Sequence, residues 1–107
     1  MAELLKQKLL TYTNTISKRL WYVYIVRCSD NSLYCGITTD TTRRTSEHNT
    51  SKKGAKYTRS RRPVYLVWSI TASCKSSASK LEYKIKKFTK SNKEKLIEGN
   101  IDITSFY

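Results

Sequence analysis

Apolar and polar positions divide the chain into a short series of alternating and helical patterns. The run Trp21-Tyr22-Val23-Tyr24-Ile25-Val26 is rich in β-branched and aromatic residues, which suit a pleated surface, and it predicts a strand. Ser29-Asp30-Asn31-Ser32 is turn chemistry, after which Leu33-Tyr34-Cys35-Gly36-Ile37 returns as a second strand. Asp40 or Thr41 can cap a helix from about Thr42 to His48. Asn49 to Arg62 has no apolar periodicity and reads as a loop. Pro63 opens a third strand, Val64 to Ile70, at a first position where proline is tolerated.

From Ser76 to about Lys90 the spacing of Ala78, Leu81, Ile85 and Phe88 predicts a helix with one buried stripe and a lysine-covered back. Ser91 or Asn92 can cap a last short helix, Lys93 to Glu98, which Gly99 stops. The order β-β-α-β-α-α predicts an α/β domain, a small three-stranded antiparallel sheet flanked by helices. Residues 1–19 read as a leader, helical at Leu4, Leu5, Lys8 and Leu9 or else flexible, since Thr11 to Thr15 is poor helix material. The domain proper is expected over 20–98 and a short tail over 99–107.

Charge changes the picture more than size does. At 107 residues and 38% apolar, one domain with a modest core is expected. Lysine and arginine number 21 against 8 acids, a net charge of +13. That points to a polyanionic partner, nucleic acid first and an anionic membrane second. No apolar run approaches the ~20 residues that span a bilayer, and no signal peptide is visible. Cys28, Cys35 and Cys74 form no C-x-x-C pair, and His48 is the one histidine, so neither a structural zinc site nor a disulfide framework is expected. Reduced, half-buried thiols suit an intracellular setting, either cytoplasm and nucleoid or a nucleus.

Hydrolysis of a phosphodiester needs an activated water, neutralised phosphate charge and help for the leaving oxygen. No two of the acids fall on neighbouring positions of one strand face, which disfavours a two-metal carboxylate cluster. A nuclease built on this chain must use one acid with one metal ion, assisted by tyrosine, arginine or histidine. If Val23 and Ile25 face the core, Tyr22 and Tyr24 face the other way, and on the return strand so do Tyr34 and Gly36. A two-residue turn centred on Asp30-Asn31 would pair Tyr24 with Ile37 and separate the tyrosines. Tyr24 and Tyr34 therefore share a face only with an odd-length loop or a bulge. Gly36 would let a phosphate approach the backbone.

Arg44 and His48, spaced i and i+4, project from one helix face; one can fork a phosphate and the other can move a proton near neutral pH. Glu82 lies at the edge of the apolar stripe, where a carboxylate could hold a hard cation or simply pair with Lys86. Lys52, Lys53, Lys56, Tyr57, Arg59, Arg61 and Arg62 combine positive charge with an aromatic ring. They suit phosphate contact and stacking with little base specificity.

Taken together these pieces resemble the GIY-YIG nuclease family, most closely its small single-domain branch (UvrC- or YhbQ-like). Tyr22-Val23-Tyr24 stands for the first signature strand and Tyr34-Cys35-Gly36 for the second, with Tyr22 in place of a glycine and Cys35 in place of an isoleucine. Arg44, His48-Asn49, Gly54-Ala55-Lys56-Tyr57-Thr58, Arg62-Pro63 and Glu82 follow in order, and the similarity covers about 20–98. Of the adjacent arginines, Arg44 fits the family's spacing better than Arg43, which would join the DNA-binding set.

The resemblance implies hydrolysis of DNA by one Mg²⁺ or Mn²⁺ ion held on Glu82. Tyr24 would orient or deprotonate the attacking water, with His48 assisting the proton's departure. Arg44 would clamp the phosphate, and Tyr34 would bond it or sit near the leaving oxygen. DNA is the implied partner, selected by structure rather than sequence, with no membrane involved; the sequence leaves open whether a protein subunit helps choose the target. The rival is a non-catalytic basic nucleic-acid-binding module on the same scaffold.

Overall fold

The computed structural model describes residues 20–103; the leader, residues 1–19, and the last part of the tail lie outside them. Strands β1 (Trp21–Arg27), β2 (Leu33–Thr38) and β3 (Tyr65–Ala72) form one antiparallel sheet in the order β2-β1-β3. Helices α1 (Thr41–Thr50) and α2 (Lys56–Arg59) lie between β2 and β3, and α3 (Lys75–Lys86) and α4 (Lys90–Ile97) follow β3. The expected architecture is present, with one helix more.

The hairpin loop sets the register. Cys28 N–H bonds the Ser32 carbonyl at 2.8 Å around a loop of odd length, Ser29 to Asn31, and Asn31 takes the left-handed conformation at φ 68°. Asparagine tolerates that region better than most residues. The pairing is then Tyr24 with Gly36 and Val26 with Tyr34, so the two tyrosines share a face. On β3 a bulge between the partners of Ile25 and Val26 shifts the ladder by one residue.

Both faces of the sheet are covered. Val23, Ile25 and Cys35 pack with Ala78, Leu81 and Ile85 of α3 and Leu96 of α4. Ile85 is fully buried, and truncating it to alanine would cost about 2–5 kcal/mol. The other face buries Tyr24, Val26, Cys28 and Val64, with Tyr34 packed against them. Asn49 ties α1 to the start of β3: its side chain donates to the Val64 carbonyl at 2.9 Å and accepts the Val64 N–H at 2.7 Å. Arg27 forks onto Glu94 at 2.6 and 2.7 Å and fastens the end of β1 to α4.

Three expectations change. The segment expected as a loop from Asn49 to Arg62 contains the end of α1 and the single turn α2, whose amides of Thr58 and Arg59 close on the Ala55 carbonyl. One turn is too short to show apolar periodicity. The last helix is capped by Thr89, whose side chain accepts the Asn92 N–H, instead of by Ser91 or Asn92, so the break after α3 comes earlier than expected. Within the described part of the tail, Ile101 and Ile103 pack on the core. The thiols are not half-buried: Cys28 and Cys35 are buried and Cys74 is exposed.

Candidate active site

Tyr24 sits at the centre of β1, opposite a glycine, and its ring folds across the neighbouring strand into the space above Gly36. A β-carbon at Gly36 would lie 2.5 Å from the Tyr24 hydroxyl. Gly36, read from the sequence as an approach point for a phosphate, faces the tyrosine ring on this side. Its missing side chain admits the ring instead.

The Tyr24 hydroxyl meets Nε2 of His48 at 2.6 Å. His48 comes from the last turn of α1, which Asp40 starts by accepting the Arg43 N–H at 2.9 Å. Tyr34 packs edge-on to the His48 ring at 5.3 Å and stacks on Tyr57 at 5.9 Å, and the Arg61 guanidinium lies 3.9 Å over Tyr57. On its other nitrogen His48 meets the Ala55 amide at 3.2 Å and Thr58 Oγ1 at 2.9 Å.

Arg44, one helical turn before His48, is half-buried. It donates to Glu47 at 2.9 Å and to the Lys53 carbonyl at 2.8 Å. Arg44, not Arg43, adjoins the Tyr24 hydroxyl. Arg43 is more exposed and lies 3.8 Å from Glu47.

These surroundings shift both proton-carrying groups towards their neutral forms. Burial raises the Tyr24 phenol well above its ordinary value, and the nearby Tyr34 adds to this, while Arg44 opposes it. Burial also pushes His48 down to about 4, helped by the positive charge of Arg44. The free protein at neutral pH thus holds a neutral phenol against a neutral imidazole.

Glu82 lies on α3. Its carboxylate is 3.6 Å from Lys86, whose ammonium lies 5.9 Å from the Tyr34 ring centre. The fold thus joins Tyr24, Tyr34, Arg44 and His48 directly and brings Glu82 in through Lys86. Among the described residues no three His, Cys, Asp or Glu side chains converge as a metal cluster. A lone, half-buried carboxylate still fits Mg²⁺, which commonly takes one or two carboxylates and completes its shell with water and phosphate oxygens.

The basic segment divides. Lys52, Lys53, Lys56 and Arg59 are exposed. Arg62 turns inward instead, donating to the carbonyls of His48 and Ser51 that end α1. Arg61 pairs with Asp30 at 3.1 Å and donates to the Tyr57 carbonyl at 2.8 Å. Arg62 thus braces the end of α1 and Arg61 ties α2 to the hairpin loop, so both expected phosphate contacts are engaged with protein groups in the free chain. Thr58 was not among the expected site residues. It stands in a stretch marked by charge, and no local pattern flags a buried hydroxyl there.

A sheet with paired tyrosines on one face, backed by an arginine and histidine helix, defines a recognisable class. The GIY-YIG catalytic domain profile matches residues 20–95, and the chain belongs to that family of nuclease domains. Its relatives include a UPF0213 protein of Desulfotalea psychrophila, 54% identical over 80 residues and covering 75% of this chain and 73% of that one. A UPF0213 protein of Staphylococcus haemolyticus is 54% identical over 77 residues, covering 72% of this chain and 93% of its own. The solution NMR structure of a UPF0213 protein from Bacillus halodurans is 44% identical, covers 74% of this chain and 83% of that one, and superposes with a TM-score of 0.48.

Proposed function

We propose that the chain is a metal-dependent DNA endonuclease that recognises the shape of its substrate rather than its sequence. The observation that carries this reading is the buried Tyr24–His48 pair with Arg44 beside it, set behind a rim of exposed Lys52, Lys53, Lys56 and Arg59. Flexible lysines and arginines on a surface contact phosphates without reading bases.

Each residue has a task in that reading. Arg44, with further N–H groups beyond those used on Glu47 and Lys53, clamps the scissile phosphate. The Tyr24 hydroxyl, held by His48, orients the attacking water. Tyr34, at the edge of the His48 ring, bonds the phosphate or lies near the leaving oxygen. Glu82 holds the cation once Lys86 gives way. A bound Mg²⁺ or Mn²⁺ ion supplies charge neutralisation at the phosphate and leaving oxygen.

The test is cleavage of labelled duplex, flap, branched and single-stranded DNA with Mg²⁺, Mn²⁺ or EDTA, using wild type and Glu82→Gln. Metal-dependent products that disappear in the variant support the reading and rank the substrates. Salt-sensitive binding without product in any metal replaces it with the non-catalytic binding module.

A further inference from the structure

The contacts behind the His48 ring determine which way its hydrogen bond to Tyr24 runs. That direction decides what the pair can do with a proton. The catalytic consequence rests on the nuclease reading, whereas the geometry does not.

His48 is 0% exposed, so its ring nitrogens answer to protein groups alone. The Ala55 amide points at Nδ1 from 3.2 Å. An amide N–H can only donate, so Nδ1 accepts. The Thr58 hydroxyl has two acceptors at 2.9 Å, Nδ1 and the Ala55 carbonyl. That carbonyl already takes the Thr58 and Arg59 amides at 3.0 and 3.1 Å. With the Ala55 amide on it, Nδ1 has no proton to offer Thr58, so the 2.9 Å contact is made by the hydroxyl proton, shared between Nδ1 and the Ala55 carbonyl.

Two donors on Nδ1 leave one place for the proton of a neutral imidazole, Nε2, which faces the Tyr24 oxygen. An imidazolium would direct a second N–H against the Ala55 amide, and burial with Arg44 nearby outweighs the Glu47 carboxylate that would favour the charge. We propose that the Ala55 amide and Thr58 lock His48 in its Nε2–H form, so that His48 donates to Tyr24 and cannot take its proton. Thr58 is a positioning residue: it touches no reacting atom and acts through His48.

This replaces the relay in which His48 assists the departure of the Tyr24 proton. One lone pair of the Tyr24 oxygen is committed to His48. The tyrosine's own O–H is then left to donate elsewhere, to the attacking water or a phosphate oxygen when substrate binds. The turn α2, absent from the sequence reading, supplies both groups that impose this.

The experiment is a long-range ¹H–¹⁵N correlation spectrum of ¹⁵N-histidine-labelled protein at pH 7, free of DNA and metal, where the single histidine gives an unambiguous signal. A spectrum with Nε2 protonated and Nδ1 bare is expected; a proton on Nδ1 overturns the proposal. Thr58→Val keeps the shape and removes one donor. It should admit the second tautomer and lower kcat about tenfold with KM little changed, the scale of one lost hydrogen bond. Thr58→Ser should restore both. An unchanged His48 spectrum in Thr58→Val overturns the role of Thr58. Should that variant fail to fold, the wild-type spectrum still decides the tautomer. A protein that shows the Nε2–H form yet cuts no DNA in any metal upholds this inference and refutes the nuclease reading.

Discussion

The Tyr24 hydroxyl occupies the volume that a side chain at Gly36 would need: a β-carbon there would lie 2.5 Å from the oxygen and 2.7 Å from Cζ. The glycine is part of the tyrosine's seat. Gly36→Ala should therefore push the ring away from His48 while leaving the strand intact. We expect a loss of cleavage of about 100-fold, the scale of an ångström-sized misplacement, with about 1–3 kcal/mol of stability lost to overpacking. Cleavage assays beside thermal melts check both. Full activity in this variant would remove Tyr24 from the reaction.

Acid should unfold the protein in two stages of defined sign. His48 is held down to about 4 against an ordinary 6.5, so below pH 6.5 the unfolded chain binds a proton that the fold refuses. Its contribution, about 3 kcal/mol, is complete above pH 6.5 and is lost as pH falls towards 4. Glu94 is held down to about 2 by its bonds from Arg27 and Lys90, against an ordinary 4.5. Its contribution is complete above pH 4.5 and is lost as pH falls towards 2. Denaturant midpoints across this range should flatten above pH 4 in His48→Gln and below pH 4.5 in Glu94→Gln.

Basic residues of the segment should separate by function. Arg62→Ala removes a charged donor from the carbonyls of His48 and Ser51 and should cost about 2–3 kcal/mol of stability. Replacing Lys52, Lys56 or Arg59 by alanine should leave the melting temperature alone. Each should instead reduce the slope of DNA affinity against salt by about one phosphate. Titrations at several salt concentrations, run beside melts, distinguish the two groups.

Thiol reagents should find one cysteine in the native protein. Cys74 is exposed at the start of α3, and its Sγ lies 3.4 Å from the Ser77 hydroxyl, which favours the thiolate. Cys28 and Cys35 are buried, and burial pushes the Cys35 thiol up to about 12. Mass spectrometry should show a single fast label on Cys74, with the other two reacting only on unfolding. Rapid labelling of Cys35 would mean that the sheet and α3 separate readily.

Local features of the fold were legible because their physics lies within a few residues. The β-branched run of β1, the Ala78-Leu81-Ile85 stripe of α3 and the stop at Gly99, where φ is +81°, depend on neighbours in the chain. The i,i+4 spacing of Arg44 and His48 likewise needs only a helix to place both on one side. Even the shared face of Tyr24 and Tyr34 reduces to the parity of one loop, which the structure supplies as an odd one.

What the sequence could not determine lies between segments. By itself it established a small antiparallel sheet with helices, a basic surface and a set of residues suited to phosphate chemistry. Tertiary structure decided that Tyr24 lies over Gly36, that Arg62 bonds the carbonyls at the end of α1, and that Thr58 meets His48. Charge and residue type announce what a side chain can bond. Only packing, which removes water and leaves each buried donor and acceptor to find a partner within about 3 Å, decides what it does bond.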